Sequence, residues 1–481
     1  MLQHKYYDII VLGAGSAGLS VSGFMGKAGF KTLLVDLEEK DIGGECLNYG
    51  CIPSKAFIQV SRMIHASRQL SEFGYTTTGK TDIEKVLKYV RERQEIIRKR
   101  ENSLYLQKEM NVDVVLGNPE FRSENEVTIN GDVYNGKQIV IATGSSPRKL
   151  DVKGWEQTDY YNNENIFNIK YLPDHLLVMG AGNNGVEMAQ AFQRLGSKVT
   201  VVQDKERILP EDDPKIVAVL KQKMEEEGVK FFTGMTAKSF PDKNTLVIES
   251  QHGRTQKVHF DAIYFAIGRE VDVSSLKPEK AGIETKDNKL VLDEYLQTTN
   301  KNVFACGDVV VSLKFSHGAE FHARLVLNNF FSPIRNKLDY KHFSWCTFTD
   351  PEVAVFGYSE QQLKEEGIKY EKLEMDFNED DRAVIGDYQY GRLMLLITEG
   401  NFFGRNKKIL GGSMVAPEAG EMIQELILAN STGIQLQELF DKIYPYPVRA
   451  RVNQGIIRKQ FEDKLTPLLK RFLRLSYQIK S

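Results

Sequence analysis

The chain has 481 residues, 41% hydrophobic and 27% charged, which predicts several domains with the composition of an ordinary globular protein. Its formal net charge of −2 at pH 7 gives no electrostatic reason to expect a nucleic-acid partner. No apolar run reaches the length of a membrane span, and four cysteines are too few for a secreted disulfide scaffold. We therefore expect a cytoplasmic protein.

The chain opens with a predicted dinucleotide-binding unit. The apolar strand "YYDIIVLG" leads into Gly13, Gly15 and Gly18, which have G-x-G-x-x-G spacing, and a helix-like stretch follows. A second strand ends at Asp36, about twenty residues further on. In such a βαβ unit, the amide groups at the helix N-terminus bind a pyrophosphate and the acid binds a ribose hydroxyl.

The segment "GGECLNYGCIPSK" follows, with Cys46 and Cys51 separated by four residues. A regular helix would keep these thiols too far apart for a disulfide, so we expect an irregular turn. Asn48 and Gly50 tolerate left-handed backbone, and Pro53 suits the first turn of the following helix. The segment is thus predicted to be a loop that leads into a helix, whose N-terminus favours a thiolate.

Three interpretations of the cysteines remain open: a redox pair, two unpaired buried thiols, or half of a zinc site. Zinc requires further ligands at similar spacing, and Cys306 and Cys346 stand alone in the sequence. A close pair in a reducing compartment favours the redox interpretation.

The rest of the chain divides into recognisable segments. Residues 54–110 have the pattern of long amphipathic helices, with lysine and arginine interleaved with glutamate as on a solvated surface. A second fingerprint, with Gly180, Gly182 and Gly185, again lies between a strand and a helix. "KQIVIATGSSPR" and "DAIYFAIGRE" are predicted to be strands that end in glycine turns and cross between domains. From about Trp345, mixed strands and helices indicate a separate α+β domain.

In this order, "GGECLNYGCIPSK", the two fingerprints, "ATGSSPR", "AIGR" and "VFACGD" resemble the flavoprotein disulfide reductases. That family includes glutathione reductase, dihydrolipoyl dehydrogenase and mercuric reductase. The resemblance implies an α/β fold with two Rossmann-like domains, for FAD and NAD(P), and a C-terminal α+β dimerisation domain. The expected boundaries are 1–150 and 272–344 for the FAD-binding and central parts, 151–271 for NAD(P), and 345–481 for the interface domain.

The resemblance also implies cofactor contacts for a homodimeric enzyme. FAD would be bound by Gly13, Gly15, Gly18, Asp36, Gly44, Lys55, Gly117, Gly144, Asp308 and Ser316. The nicotinamide nucleotide would be bound by Gly180, Gly182, Gly185, Gln203 and Gly268. Hydride would pass from nicotinamide to flavin and then to the disulfide.

The same resemblance implies roles at the reacting centre. Cys51 would be the thiol nearest the flavin and Cys46 the interchange thiol that meets the substrate. Lys55 and Glu187 would form an ion pair near the flavin ring. The thiol-handling members of the family carry a His followed five residues later by a Glu near the C-terminus, where this chain has Tyr446 and Arg451. The usual base is therefore missing, and Tyr446 either contacts substrate or packs at the dimer interface.

Two further departures concern charge. Glu45 replaces the usual Thr before the first cysteine, and we expect its carboxylate to raise the pKa of Cys46. Gln203 followed by Asp204 favours NAD(H) over NADP(H), because Asp repels a 2′-phosphate, while Lys205 and Arg207 leave NADPH open.

The oxidant itself is not named by the sequence. A small disulfide is one hypothesis. A metal-ion substrate, as in mercuric reductase, and dihydrolipoyl dehydrogenase activity are alternatives, although this chain ends in "LSYQIKS" without a second cysteine pair. A third hypothesis is a slow, redox-responsive binding protein that docks through its basic C-terminal tail. The apolar residues of the tail have two possible roles: they face a membrane surface or a partner, or they pack on the interface domain. These residues are Phe461, Leu465, Leu468, Leu469 and Phe472, and Pro467 interrupts them.

Overall fold

The computed structural model describes residues 5–311, 313–400, 406–463 and 467–480. Within them, the helices are α1 Ser16–Lys27, α2 Gly44–Asn48, α3 Cys51–Gln69, α4 Ile83–Arg98, α5 Ser103–Met110, α6 Asn183–Leu195, α7 Pro214–Glu226, α8 Ser316–Phe331, α9 Glu360–Glu365, α10 Asp381–Ile385, α11 Ala419–Met422, α12 Gln424–Thr432, α13 Leu436–Asp441, α14 Val452–Asp463 and α15 Pro467–Lys480.

The strands of the same residues are β1 Lys5–Leu12, β2 Thr32–Asp36, β3 Val112–Leu116, β4 Pro119–Ser123, β5 Glu126–Ile129, β6 Asp132–Ile141, β7 Ser146–Pro147, β8 Tyr160–Tyr161, β9 His175–Met179, β10 Lys198–Val202, β11 Lys230–Phe232, β12 Met235–Asp242, β13 Thr245–Ser250, β14 Thr255–His259, β15 Ala262–Phe265, β16 Arg269–Glu270, β17 Thr285–Lys286, β18 Lys289–Leu290, β19 Val303–Ala305, β20 Ser344–Thr347, β21 Glu352–Gly357, β22 Glu371–Asp376, β23 Arg392–Ile397 and β24 Ile409–Ala416.

The chain divides into two compact units. The first contains the residues up to Gly180 together with Arg194–Thr200 and Thr236–Leu338. The second contains Ala181–Gln193, Val201–Met235 and the residues from Asp339 onward. The four domain boundaries expected from the sequence stay a prediction.

The first unit is built on a sheet with strand order β3-β2-β1-β6-β5-β4, to which β19 is added along β6. Strands β3, β2, β1, β6 and β19 pair in parallel, and β4, β5 and β6 form an antiparallel meander. Residues Ile9–Leu12 of β1 are fully buried, which explains why this strand is a continuous apolar run and not an alternating one. Helices α1 and α8 contact each other in this unit.

Parallel pairing brings the carboxyl ends of these strands to one edge of the sheet. The turns after β1, β2, β3, β6 and β19 therefore lie at the same edge, and they carry Gly13, Asp36, Gly117, Gly144 and Asp308. Ligands of open α/β sheets bind at this edge, because the helix N-termini and the loops meet there.

The first unit also contains the strands that lead into and out of the second fingerprint. Strand β15 pairs in parallel with β9 and β8, and Lys198 at the start of β10 donates its amide to the carbonyl of Asp174. The predicted crossing segments pair as short antiparallel strands, with Arg269 of β16 opposite Pro147 of β7. This pairing holds Arg269 beside the turn that follows β6.

The second unit contains the predicted α+β domain. Its sheet has the order β20-β21-β24-β23-β22, with every neighbouring pair antiparallel. The sheet and its helices bury a core that includes Phe356, Phe377, Tyr388 and Ile457.

The long amphipathic helices expected over residues 54–110 are interrupted near their end. Asn102 lies between α4 and α5, and its side-chain oxygen accepts the amide of Tyr105 and so caps α5. An asparagine at this position satisfies an amide that the new helix would otherwise leave unpaired, which favours a restart over a continuous helix.

The described part of the C-terminal tail is helical, in α14 up to Asp463 and in α15 from Pro467 onward. Helix α15 exposes Phe472, Leu475 and Ile479, so these side chains are not buried on the interface domain within this unit. Phe461, Leu465, Leu468 and Leu469 lie outside the side chains that the structure describes.

Candidate active site

The first fingerprint forms a turn that only glycine permits. Gly13 has φ +108°, and a Cβ there would overlap the carbonyl of Ala142. A Cβ at Gly18 would overlap the carbonyl of Gly13, so the start of α1 packs directly against the turn. Gly44, with φ +58°, approaches the same turn, and a Cβ on it would lie 2.5 Å from the Cα of Gly15. The two loops thus leave free backbone amides at the N-terminus of α1.

Asp36 ties the end of β2 to this turn. One carboxylate oxygen accepts the amide of Ala14 at 2.6 Å and the other accepts the amide of Leu37 at 2.7 Å. Its carbonyl accepts the amide of Gly117 at 2.8 Å. Burial raises the pKa of Asp36. Each carboxylate oxygen keeps a second lone pair, so Asp36 can still accept a ribose hydroxyl.

These residues fit FAD. The edge of the sheet offers glycines that allow a close approach of a ligand, amides at a helix N-terminus, and Asp36 at the end of β2, where a ribose hydroxyl would be bound. Gly144 faces open space, with φ +74°. The individual contacts to FAD stay predictions.

The cysteine turn differs from the expected geometry. Neither Asn48 nor Gly50 adopts left-handed backbone; the left-handed residues are Gly43, with φ +95°, and Gly44 just upstream. Cys46 lies within the short helix α2 and Cys51 is the first residue of α3. The turn closes because the carbonyl of Glu45 accepts two successive amides, those of Tyr49 at 2.8 Å and Gly50 at 2.6 Å. Pro53 lies in the first turn of α3, as predicted.

Asn48 has a packing role that sequence reasoning missed. It is buried, its side-chain amide donates to the carbonyls of Asp41 and Ile42, and its oxygen accepts from Arg98 at 2.8 Å. Gln94 donates to the carbonyls of Leu47 and Asn48. Helix α4 therefore fastens the cysteine turn from one side.

The structure brings the two thiols and Ser316 together. The side chain of Cys46 hydrogen-bonds to that of Cys51, and the sulfur of Cys51 lies 3.2 Å from the hydroxyl of Ser316. The hydrogen bond to Cys51 raises the pKa of Cys46, and burial raises it further. Cys46 is thus the thiol that keeps its proton and donates to Cys51, an arrangement that suits a thiolate at Cys51.

Glu45 is held by partners that the sequence did not predict. Its carboxylate pairs with Arg269 at 2.5 Å and accepts from the side-chain amide of Asn163 at 3.1 Å. The carboxylate of Glu101 raises the pKa of Cys46, after the larger effects of Cys51 and burial, and an effect of Glu45 on Cys46 stays a prediction. The charge of Cys51, in turn, acts on Glu45.

Arg269 connects Glu45 to the acid expected at the flavin. Its Nε donates to the hydroxyl of Ser145 at 2.7 Å, and this hydroxyl donates to Asp308 at 2.7 Å. Arg269 also lies 3.8 Å from Asp308. Asp308 is therefore part of a hydrogen-bonded network and is not a solvated surface carboxylate. Sequence reasoning misses the part that Arg269 and Ser145 play in this network, although the motifs "AIGR" and "ATGSSPR" contain them.

The second fingerprint repeats the turn of the first, but a neutral Gln203 stands where the first has the acidic Asp36. Gly180 has φ +97°, and a Cβ there would overlap the carbonyl of Ala266, while Gly268 has the same φ and faces open space.

In the second unit, the side-chain oxygen of Gln203 accepts the amide of Ala181 at 3.0 Å, as Asp36 accepts that of Ala14. Gly182 faces open space and Gly185 lies in the first turn of α6. A neutral, buried Gln therefore fills the position that Asp36 fills in the first unit.

Glu187 is buried, and its carboxylate accepts the amide of Phe348 at 2.8 Å. It is therefore not a solvated surface carboxylate. Lys55 lies in the second turn of α3, in the first unit, and its side chain is half-buried. The ion pair of these two residues stays a prediction.

Tyr446 lies in the second unit with its ring 65% exposed. Its hydroxyl donates to Asp381 at 3.0 Å, and the guanidinium of Arg451 lies 5.1 Å from the ring centre. The hydrogen bond to Asp381 raises the pKa of Tyr446. The phenol therefore keeps its proton at neutral pH and cannot replace histidine as a base.

Among the described residues, no helix combines the length and the apolar character needed to cross a bilayer.

Known proteins share both the sequence pattern and the fold. The model of the pyridine nucleotide-disulphide oxidoreductase family matches residues 7–323, and that of its dimerisation domain matches residues 343–454. The chain is 28% identical over 447 residues to mercuric reductase of Staphylococcus aureus, covering 92% of this chain and 80% of that protein. It is 30% identical over 472 residues to dihydrolipoyl dehydrogenase of Vibrio cholerae, covering 96% of this chain and 97% of that protein.

Among solved structures, the HOCl-induced flavoprotein disulfide reductase RclA from Escherichia coli is similar with a TM-score of 0.82. The two chains are 25% identical, and the match covers 94% of this chain and 99% of that one. A Cu(II) complex of the same protein matches equally well, with a TM-score of 0.82 and 25% identity.

Proposed function

Because the chain belongs to the pyridine nucleotide-disulphide oxidoreductase family, which is FAD-dependent, we propose that it passes electrons from NADH to a Cys46–Cys51 redox pair and on to a small oxidant. The observation that carries the proposal is the hydrogen bond from Cys46 to Cys51, beside the hydroxyl of Ser316. The dimerisation domain supports a homodimer.

FAD, when bound, supplies the two-electron chemistry that links a nicotinamide to a disulfide. The residues that fit it are those of the first fingerprint, Asp36 and the Asp308 network at the same edge of the sheet. Cys46 holds the proton of the reduced pair, and its partial exposure lets it meet an oxidant. Cys51 accepts the hydrogen bond and carries the negative charge.

NADH is favoured over NADPH by the charges after the second fingerprint. Asp204 is exposed beside Lys205, at 3.9 Å, so the lysine's charge is partly neutralised. Arg207 donates to the carbonyl of Pro210 at 2.7 Å and is thereby engaged with the backbone. These contacts weaken the two cations that would otherwise bind a 2′-phosphate.

A metal ion is the second candidate for the oxidant. Tyr446 is a poor base, which disfavours substrates that must lose or gain a proton during thiol exchange, and favours an acceptor that needs none. Similarity to mercuric reductase of Staphylococcus aureus and to RclA of Escherichia coli, solved as a Cu(II) complex, points in the same direction. Similarity to dihydrolipoyl dehydrogenase supports a disulfide instead.

The redox pair is tested by differential alkylation. The holoenzyme is treated with iodoacetamide before and after anaerobic addition of NADH or NADPH, and the labelled residues are identified by mass spectrometry. We expect Cys46 and Cys51 to be labelled only after the nucleotide is added, and faster with NADH. Cys306, which is fully buried, should stay unlabelled, and Cys306→Ser serves as the matched control variant.

Equal labelling of Cys46 and Cys51 with and without nucleotide would contradict the redox pair. The oxidant is then identified by NADH consumption with Hg²⁺, Cu²⁺ or a small disulfide. Cys46→Ser should abolish consumption with each of them. Unchanged NADH consumption by Cys46→Ser would mean that the oxidant is not reduced by the cysteine pair.

A further inference from the structure

Glu45 is held against the cysteine turn by both its backbone and its side chain. Its carbonyl closes the turn through the amides of Tyr49 and Gly50. Its carboxylate is fixed by two contacts, 2.5 Å from Arg269 and 3.1 Å from the amide of Asn163. A Cβ on Gly50 would lie 3.2 Å from the Cγ of Glu45, so the turn and the side chain leave each other little room. The carboxylate of Glu45 is therefore fixed next to the cysteine turn.

The charges that face Glu45 are out of balance. Arg269 is the cation in contact with it, and the same guanidinium also lies 3.8 Å from Asp308. Asp308, Cys51 and Glu164 also act on Glu45, and each of them raises its pKa. Lys314 donates to the carbonyl of Arg269 and acts on Asp308. A thiolate on Cys51 thus adds negative charge to a site where the guanidinium of Arg269 already neutralises both Glu45 and Asp308 in part.

We propose that Glu45 binds a proton from solvent when the Cys46–Cys51 pair is reduced and releases it when the pair is reoxidised. This inference rests on the proposed function. NADH supplies two electrons and one proton as hydride equivalent, the S–S bond breaks, Cys46 becomes a thiol and Cys51 a thiolate, and NAD⁺ leaves. The additional proton comes from water and resides on the Glu45 carboxylate.

The properties of the carboxyl group suit this role at physiological pH. The pKa of Glu45 is raised to about 7, first by burial and then by the charges of Asp308 and Cys51, against the attraction of Arg269. The thiolate formed on reduction therefore increases the proton affinity of Glu45 in the neutral range, where the pKa of this carboxyl lies. The chain lacks the C-terminal histidine that handles a proton in related enzymes, and Glu45 stores one beside the pair itself. Glu45 is a positioning residue, since it acts on the thiols through charge.

The test counts protons. Wild-type holoenzyme, Glu45→Gln and the control Glu164→Gln are reduced anaerobically with one equivalent of NADH in weak buffer containing a pH indicator, from pH 6 to pH 8.5. We expect wild type to take up about half a proton per NADH near neutral pH, because Glu45 is half-protonated there, with uptake falling at both ends of the range. Glu164→Gln should behave like wild type, because Glu164 is exposed and only acts at a distance. Glu45→Gln should take up almost none.

Proton uptake by Glu45→Gln equal to that of wild type would overturn the inference. If Glu45→Gln does not fold or bind flavin, Glu45→Asp decides, since the shorter acid should shift the maximum of uptake to lower pH; an unshifted maximum would equally overturn it. Failure of the redox pair is distinguishable, because labelling of Cys46 and Cys51 by iodoacetamide would then be equal with and without NADH in wild type itself.

Discussion

At the scale of single residues, His322 shows how burial fixes a protonation state next to the site. It is fully buried, and its Nδ1 accepts the amide of Gly307, the residue before Asp308. An imidazole that accepts at Nδ1 is neutral with its proton on Nε2. Burial lowers the pKa of His322 to about 4, so the folded protein keeps it neutral well below the usual pKa of 6.5.

His322 predicts an acid-sensitive stability. The unfolded chain binds a proton near pH 6.5 and the folded chain only near pH 4, so stability is fully present above pH 6.5 and is lost as the pH falls towards 4. The loss is on the order of 3 kcal/mol. His322→Gln should flatten this part of the curve, measured as the denaturant midpoint against pH. His317→Gln, at an exposed histidine of the same helix, should keep the wild-type slope, and a wild-type slope in His322→Gln would contradict the prediction.

At the scale of elements, the approach of the Gly44 loop to the first fingerprint holds the cysteine turn beside the flavin-binding edge. Gly44→Ala should reduce both flavin content and stability, because it adds left-handed strain of about 1 kcal/mol and places a Cβ 2.5 Å from the Cα of Gly15. Gly74→Ala is the matched control: Gly74 has φ +79° but nothing within 4 Å of its Cβ.

The two variants separate strain from close contact. Gly74→Ala should lose only about 1 kcal/mol of unfolding free energy and bind flavin normally. Gly44→Ala should lose more and be purified with less flavin, as judged by the ratio of visible to ultraviolet absorbance. Equal flavin content in both variants would mean that the contact between the loops does not support the site.

The elements also show which features a sequence can predict. The fingerprints, the parallel strands and the α+β domain follow from glycine spacing and apolar runs, which are local patterns. The sequence predicts the position of the cysteine turn correctly, but not its backbone conformation. Asn48 is hydrogen-bonded by Arg98 and Gln94 of α4, a helix far along the chain, and a local pattern does not reveal such contacts. The pairing of Glu45 with Arg269 was missed for the same reason: it depends on β16 lying opposite β7.

At the scale of the whole molecule, the replacement of the family's C-terminal histidine by Tyr446 raises the question of which oxidant this enzyme can reduce. Tyr446 and Arg451 stand in contact, where related enzymes have His and Glu. Because the hydrogen bond to Asp381 raises the pKa of Tyr446, the phenol stays protonated across neutral pH. Tyr446→Phe should therefore change NADH-dependent turnover of a small disulfide only slightly. A large loss would show that the phenol itself takes part.

Restoring the family's pair makes the opposite prediction. The double variant Tyr446→His, Arg451→Glu introduces an imidazole that titrates near neutral pH. A positioned general base contributes about 10²-fold to a reaction rate. Turnover of a small disulfide should rise by up to that factor, with a new dependence on pH around 6 to 7, while turnover of Hg²⁺ or Cu²⁺ should change little. The single variant Arg451→Glu is the control, since it alters charge without adding a base. If disulfide turnover stays low with histidine in place, the lost base is not what limits this enzyme, and the preference for an oxidant must arise at the cysteine pair and its Glu45–Arg269 surroundings.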